Sequence, residues 1–114
     1  MTIGRATPNL YSHKLDDARE FWAGFLGFEI AMDEADFLMF RSPSNPTAQV
    51  LVGSQRGLDQ ARVSVEVADV DAAHAEAVRR GLEIVYPLTD EPWNVRRFFV
   101  KDPDGVVINV VSHK

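Results

Sequence analysis

The sequence predicts an α+β protein made of two tandem strand–helix–three-strand (βαβββ) modules. Three observations point there. Leu15-Asp16-Asp17-Ala18 opens a stretch that closes on Gly27-Phe28-Glu29-Ile30, and Val70-Asp71-Ala72-Ala73 opens another that closes on Gly81-Leu82-Glu83-Ile84, an internal repeat about 55 residues apart. Arg41-Ser42-Pro43 recurs as Lys101-Asp102-Pro103 further along. Each half also carries the same order of patterns: a strand, a helix stopped by glycine, and three further strands. The modules are placed at about 4–54 and 62–113 of one domain spanning 1–114, joined by the polar, glycine-containing Ser54-Gln55-Arg56-Gly57-Leu58.

In the first module, Asn9 to Ser12 closes a short strand. A helix follows from Leu15 to Leu26, with Ala18, Phe21, Trp22, Phe25 and Leu26 on one core-facing stripe. Gly27 ends it. Phe28–Met32 and Phe37–Arg41 are expected as strands around the turn Asp33-Glu34-Ala35-Asp36, and Gln49–Val52 as the fourth. Phe37-Leu38-Met39-Phe40 supplies core and pocket floor by alternation. In the second module, Arg62-Val63-Ser64-Val65-Glu66-Val67 alternates at period 2, as a half-buried strand does. Asp69 suits the N-cap of a helix over Val70–Arg80, and Gly81 its left-handed stop, with Arg79 and Arg80 at the negative end of the helix dipole. Glu83–Tyr86 reads as a short strand cut off by Pro87, and Arg97–Lys101 as another. Asp102-Pro103-Asp104-Gly105 is a turn. Val106–Val111 is apolar enough to be expected buried on both faces. Neither half has much core alone, so the modules are expected to pack on each other or on those of a second chain.

Composition narrows the function. A chain of 114 residues buries roughly two thirds of its unfolded surface, enough for a core. With no cysteine, disulfide frameworks, thiolate metal sites and cysteine nucleophiles are excluded. A net charge of −5 makes nucleic acid a poor partner. No apolar stretch approaches a membrane span, and Met1 to Leu10 lacks the apolar core of a secretory signal. A cytoplasmic protein is expected. There is no phosphate loop and no serine-nucleophile elbow.

Three motifs, Phe25-Leu26-Gly27-Phe28-Glu29, Asp69-Val70-Asp71-Ala72-Ala73 and Phe98-Phe99-Val100-Lys101-Asp102-Pro103-Asp104-Gly105, together with the duplication, resemble the vicinal oxygen chelate superfamily, the fold of glyoxalases, bleomycin-resistance proteins and extradiol dioxygenases. The resemblance covers nearly the whole chain. It implies two βαβββ modules paired into a cup-shaped half barrel. In the superfamily's enzymes the cup holds a divalent metal on His, Gln or Glu, at one slot on the first and one on the last strand of each module. The non-enzymatic branch lacks the metal and sequesters bulky drugs at a dimer interface.

Carried over by position, the first-strand slots fall on Thr7 and Arg62. The last-strand slots fall on Asn109 and, through the module offset, Gln49. None is His, Asp or Glu, and Arg62 cannot deprotonate. The sequence therefore predicts no cofactor and no family-type metal. Gln49, Asn109, Thr7 and Asn9 would form a ring of neutral hydrogen-bonding groups, either satisfying one another or orienting a polar ligand. Strand parity puts Arg62, Ser64 and Glu66 on one face. Arg62 is either the ion-pair partner of Glu66 or the receiver of an anionic or carbonyl-rich ligand. Glu66 is a weak candidate for a general base. Trp93, in the loop Asp90-Glu91-Pro92-Trp93-Asn94, either stacks on a planar ligand or packs on a subunit interface. His13, His74 and His113 share no spacing that suggests one site, and His113 is expected to be frayed.

The expected function is that of a homodimeric, metal-free protein binding a small organic molecule, an antibiotic among the possibilities. The alternative is a diverged glyoxalase-like lyase, isomerase or dioxygenase acting in the same cup.

Overall fold

The computed structural model describes residues 1–54 and 61–114, which divide into two compact units. Of the expected linker, Gln55, Arg56, Gly57 and Leu58 lie outside the described residues. No helix among those described is long and apolar enough to cross a membrane.

The unit from Thr7 onward holds most of β1 (Ile3–Tyr11), α1 (Leu15–Arg19), β2 (Glu29–Asp33), β3 (Phe37–Arg41) and β4 (Gln49–Gly53). Its strands run in the order β2-β3-β4-β1, with β1 parallel to β4 and the other pairs antiparallel. β1 begins earlier than the sequence suggests. Alternation puts Leu38, Phe40, Val50 and Val52 on one face, where Leu15, Ala18, Trp22, Ala23 and Phe28 cover them. Trp22 stacks on Phe40 and meets Phe28 edge-on.

The first helix departs from expectation. After Arg19 it widens into a π-helical segment, Glu20–Phe25, in which the Leu26 amide donates to the Phe21 carbonyl. The wider turn breaks the 3.6-residue register on which a single apolar stripe depends. Ala18 and Trp22 keep the core, while Phe21, Phe25 and Leu26 are exposed, Phe25 to 74%.

The other unit joins Met1–Ala6 to residues 61–114. It contains β5 (Val63–Val67), α2 (Val70–Arg79), β6 (Ile84–Glu91), β7 (Val95–Lys101) and β8 (Val107–His113), with the strands in the order β5-β8-β7-β6 and the leading residues of β1 beside β5. The Asp69 side chain caps α2 by accepting from the Ala72 amide at 3.0 Å. Gly81 leaves the helix at φ 69°, a conformation in which a Cβ is strained. Val67, Val70, Ala73, Ala77 and Phe98 form the core between α2 and the sheet. In the Asp102 to Gly105 turn, the Asp102 carboxylate accepts from the amides of Asp104 and Val106, both at 2.9 Å.

Two expectations change here. β6 does not stop at Pro87 but runs on to Glu91, with register shifts on either side of Tyr86. It is the outermost strand of its unit, where a proline's missing N–H leaves no partner unsatisfied. β8 is only half-buried, and Asn109 is its one buried residue. The apolar run reads as doubly buried only if both faces are covered, and α2 covers one.

Candidate functional site

In the unit containing α2, the site is built on the sheet face turned away from that helix. β5 pairs with β8 so that Ser64 lies beside Asn109 and Glu66 beside Val111. β7 brings Phe99 beside Asn109 and Arg97 beside Val111, and β6 brings Tyr86 beside Phe99. Residues level with one another in a ladder share a face. One row therefore reads Ser64, Asn109, Phe99, Tyr86 across four strands.

Asn109 is buried. Its Nδ2 donates to Ser64 Oγ at 3.0 Å, while its Oδ1 has no hydrogen-bond partner among the described residues. Arg97 and Glu91 form a salt bridge with side chains only 15% and 9% exposed. Arg97 Nε and Nη2 both approach Glu91 Oε2, at 2.9 and 2.7 Å, and the Tyr86 hydroxyl donates to Glu91 Oε1 at 3.1 Å. The Arg97 guanidinium lies 4.9 Å from the Phe99 ring centroid, 5.2 Å from that of Trp93 and 5.5 Å from that of Tyr86. At these distances ring quadrupoles attract a cation. Trp93 occupies the tight turn between β6 and β7, remains exposed, and is followed by Asn94 at φ 67°.

Glu66 has other partners than the sequence suggests. Arg5 donates to it from Nε at 2.9 Å and approaches through Nη2 at 2.7 Å, and His113 Nδ1 lies 3.0 Å away. The expected Arg62–Glu66 pair is therefore replaced by one with Arg5, because the chain start lies beside β5. Arg62 itself is exposed at the head of that strand, bonded through its amide to the Val107 carbonyl. Glu66 Oε2 is thus committed to contacts within this unit, with Arg5 and His113. His113 is not frayed: it ends β8, paired with Val95. His74 packs edge-on against Phe98, and His13 lies near Tyr11. At the rim, Lys114 and then Arg96 hold the Asp90 carboxyl below its ordinary range, and Asp71 and Asp90 raise Arg96.

In the unit containing α1, Thr7 is buried on β1. Asn9 pairs with Leu51, on the same face of β4 as Gln49. Gln49 Nε2 donates to the Pro46 carbonyl at 2.9 Å. The amide nitrogens of Gln49 and Asn109 donate within their own units, to the Pro46 carbonyl and Ser64 Oγ. Phe37, Met39 and Leu51 make the remainder of this face largely apolar, the alternation expected of Phe37-Leu38-Met39-Phe40.

Sequence reasoning missed Arg5, Tyr86, Glu91, Arg97 and Phe99. The signal available for Arg97 was its place in Val95-Arg96-Arg97-Phe98-Phe99, where alternation must turn one arginine and one phenylalanine away from the helix.

Two repeated βαβββ units with helices on one side of each sheet define the vicinal oxygen chelate class of fold. A family model described as Glyoxalase/Bleomycin resistance protein/Dioxygenase superfamily matches residues 2–110, and the chain belongs to that superfamily. Among solved structures it is similar to a glyoxalase/bleomycin resistance protein/dioxygenase superfamily member from Vibrio splendidus 12B01, at 19% identity and a TM-score of 0.77, covering 97% of this chain and 99% of that one. It is also similar to a methylmalonyl-CoA epimerase variant from Streptomyces coelicolor in complex with 2-nitronate-propionyl-CoA, at 19% identity and 0.74, covering 98% and 99%. A third is the methylmalonyl-CoA epimerase from Mycobacterium tuberculosis, at 20% and 0.73, covering 98% and 87%. At such identities these likenesses show the fold alone. No curated protein sequence matches the chain.

Proposed function

We propose that this chain binds a small organic molecule, of which an antibiotic is one example, without a metal and without chemistry. The observation that carries this reading is the donor set at the four positions where the superfamily's enzymes place metal ligands. Thr7 offers a hydroxyl, Gln49 and Asn109 offer amides, and Arg62 a permanent cation. Divalent metals are held chiefly by imidazole or carboxylate donors, amides are weak as sole ligands, and a guanidinium repels a cation. These residues do not fit a divalent cation. The Streptomyces epimerase structure, with its CoA-ester analogue, supports a small organic ligand for a protein of this fold.

The test is elemental mass spectrometry on protein purified without a nickel column or chelator. The expected result is no near-stoichiometric divalent metal, before or after exposure to nickel, zinc, manganese or iron. About one metal per chain would overturn the reading and favour a lyase, isomerase or dioxygenase. A thermal-shift screen of aromatic natural products should then find a ligand, since saturation at 100 times Kd stabilises by about 2.7 kcal/mol. We further take the working form to be a homodimer, which the exposed Phe21, Phe25 and Leu26 support. Sedimentation of a monomer at micromolar concentration would exclude it.

A further inference from the structure

We infer that the exposed face of the first helix, with the groove beside it, is the seat of a second copy of this chain, packed about a two-fold axis. The inference rests on the homodimer reading and deepens it by naming the face. The internal repeat shows that this is not an ordinary helix surface. The first helix, from Leu15 to its glycine stop at Gly27, is one residue longer than the second, from Val70 to Gly81. Counted from the helix starts, Trp22 corresponds to Ala77; counted back from the glycines, Ala23 does. Trp22 and Ala23 both pack on the core of their unit, as Ala77 does in its own. The extra residue therefore falls within the π-helical segment Glu20–Phe25, whose wider turn absorbs it.

The same correspondence sets Phe21 against Glu76, and Phe25 and Leu26 against Arg79 and Arg80. In the second repeat these positions form an exposed cluster in which both arginines pair with Glu76. In the first they hold three large apolar side chains, exposed to 49%, 74% and 48%, with the Phe21 and Phe25 ring centroids 5.5 Å apart. The fold does not require apolar residues there, since the second helix does without them; a contact outside the chain does. The three side chains expose roughly 300 Å² per copy, so two copies bury about 600 Å² through them alone, over a third of the ~1,600 Å² of a standard interface. A patch with no charge at its centre is complementary to itself, as a two-fold contact demands. Beside Phe25 lies a groove of about 200 Å³ lined by Leu26, Gly27, Phe28, Ser42, Pro43 and Ser44. That leaves room for a phenyl ring, since cavities of about 150 Å³ accept benzene. A two-fold axis through the patch brings Phe25 of each copy to the groove of the other.

Sedimentation of the whole chain at micromolar concentration tests this, with circular dichroism to confirm folding. Wild type should sediment as a dimer. Phe21→Glu/Phe25→Arg/Leu26→Arg, which copies the charge pattern of the second helix onto the first, should weaken the dimer at least about a hundredfold. Ser44→Arg, which fills the groove, should weaken it by about tenfold. Val78→Ser, an apolar residue 58% exposed on α2, should leave it unchanged. If the triple variant fails to fold, Phe25→Ser takes its place, with a loss of about tenfold expected. A wild-type dimer that survives the changes at Phe21, Phe25 and Leu26, or that loses as much through Val78→Ser, overturns this face while leaving the homodimer reading intact. A dimer weakened by those changes but indifferent to Ser44→Arg overturns the groove as the seat of Phe25. A wild-type monomer overturns the face and the homodimer reading together.

Discussion

Replacing Glu91 by Gln keeps the side chain's shape and removes its charge, so that the Arg97 guanidinium, only 15% exposed, loses the charge of the Glu91 carboxylate. Breaking one partner of a buried pair costs about 3–5 kcal/mol, against at most about 1 kcal/mol for an exposed one. The glutamine oxygen can still accept one bond, so the lower end, about 3 kcal/mol, is expected. An unfolding entropy of about 2.1 cal/mol/K per residue gives about 0.24 kcal/mol/K for this chain, and so a fall in Tm of about 12 °C. That is a large part of the 5–15 kcal/mol typical of domains, but leaves a folded variant. Urea unfolding followed by circular dichroism, with calorimetry for Tm, measures it. Glu91→Leu/Arg97→Met should recover part of the loss, since it removes both members of this pair together. A loss below about 1 kcal/mol for Glu91→Gln would refute the claim that this pair is buried and contributes as such.

The remaining expectations concern α2. Asp69→Ala removes the cap on the Ala72 amide and should cost about 1 kcal/mol, or about 4 °C, while Asp69→Asn should keep most of it. Hydrogen bonds from Arg79 and then Arg80 hold the Glu76 carboxyl down to about 2 from its ordinary 4.5. A carboxyl lowered on folding contributes stability that is present above pH 4.5 and lost as pH falls toward 2. The Tm gap between wild type and Glu76→Gln should therefore shrink across that window, and shrink with added salt because the group is exposed. A gap that widens on acidification would contradict the assignment.

How much of this was readable in advance depended on how local the cause was. The Asp69 cap, the Gly81 stop and the Asp102 to Gly105 turn each arise within a few residues, and each appears where the residue types require it. Phe37 to Arg41 matches its strand to the residue for the same reason. The failures are non-local or break the assumed period. A π-helical turn shifts the phase of a helix, so Phe21 and Phe25 leave the stripe that their spacing suggested. Pro87 ends a strand only if that strand has neighbours on both sides, and no local pattern shows that β6 is outermost. Arg5 reaches Glu66 across 61 residues of sequence, which parity along one strand cannot reveal.

The two units also differ in where their chemistry lies. On the helix-covered face the repeat is close in kind: Leu38, Phe40, Val50 and Val52 in one, Val65, Phe98, Val100 and Val110 in the other, because each must present an apolar surface to a helix. On the opposite face that demand is absent, and the repeats part. One carries Phe37, Met39 and Leu51 around Gln49; the other carries Glu66, Glu91, Arg97 and Asn109 among Tyr86 and Phe99. Motifs that identify the superfamily come from turns and the helix-covered face, so they report the fold and are silent on the ligand. Ligand preference has to come from the face the motifs do not constrain. There the second repeat holds two buried or half-buried charge pairs, and Asn109 Oδ1 has no partner among the described residues. The α1 unit offers mainly apolar area on this face, with the exposed Arg41–Glu29 pair, so on the proposed binding reading discrimination between ligands of different charge would draw chiefly on the more buried pairs of Arg97 and Arg5 in the other unit.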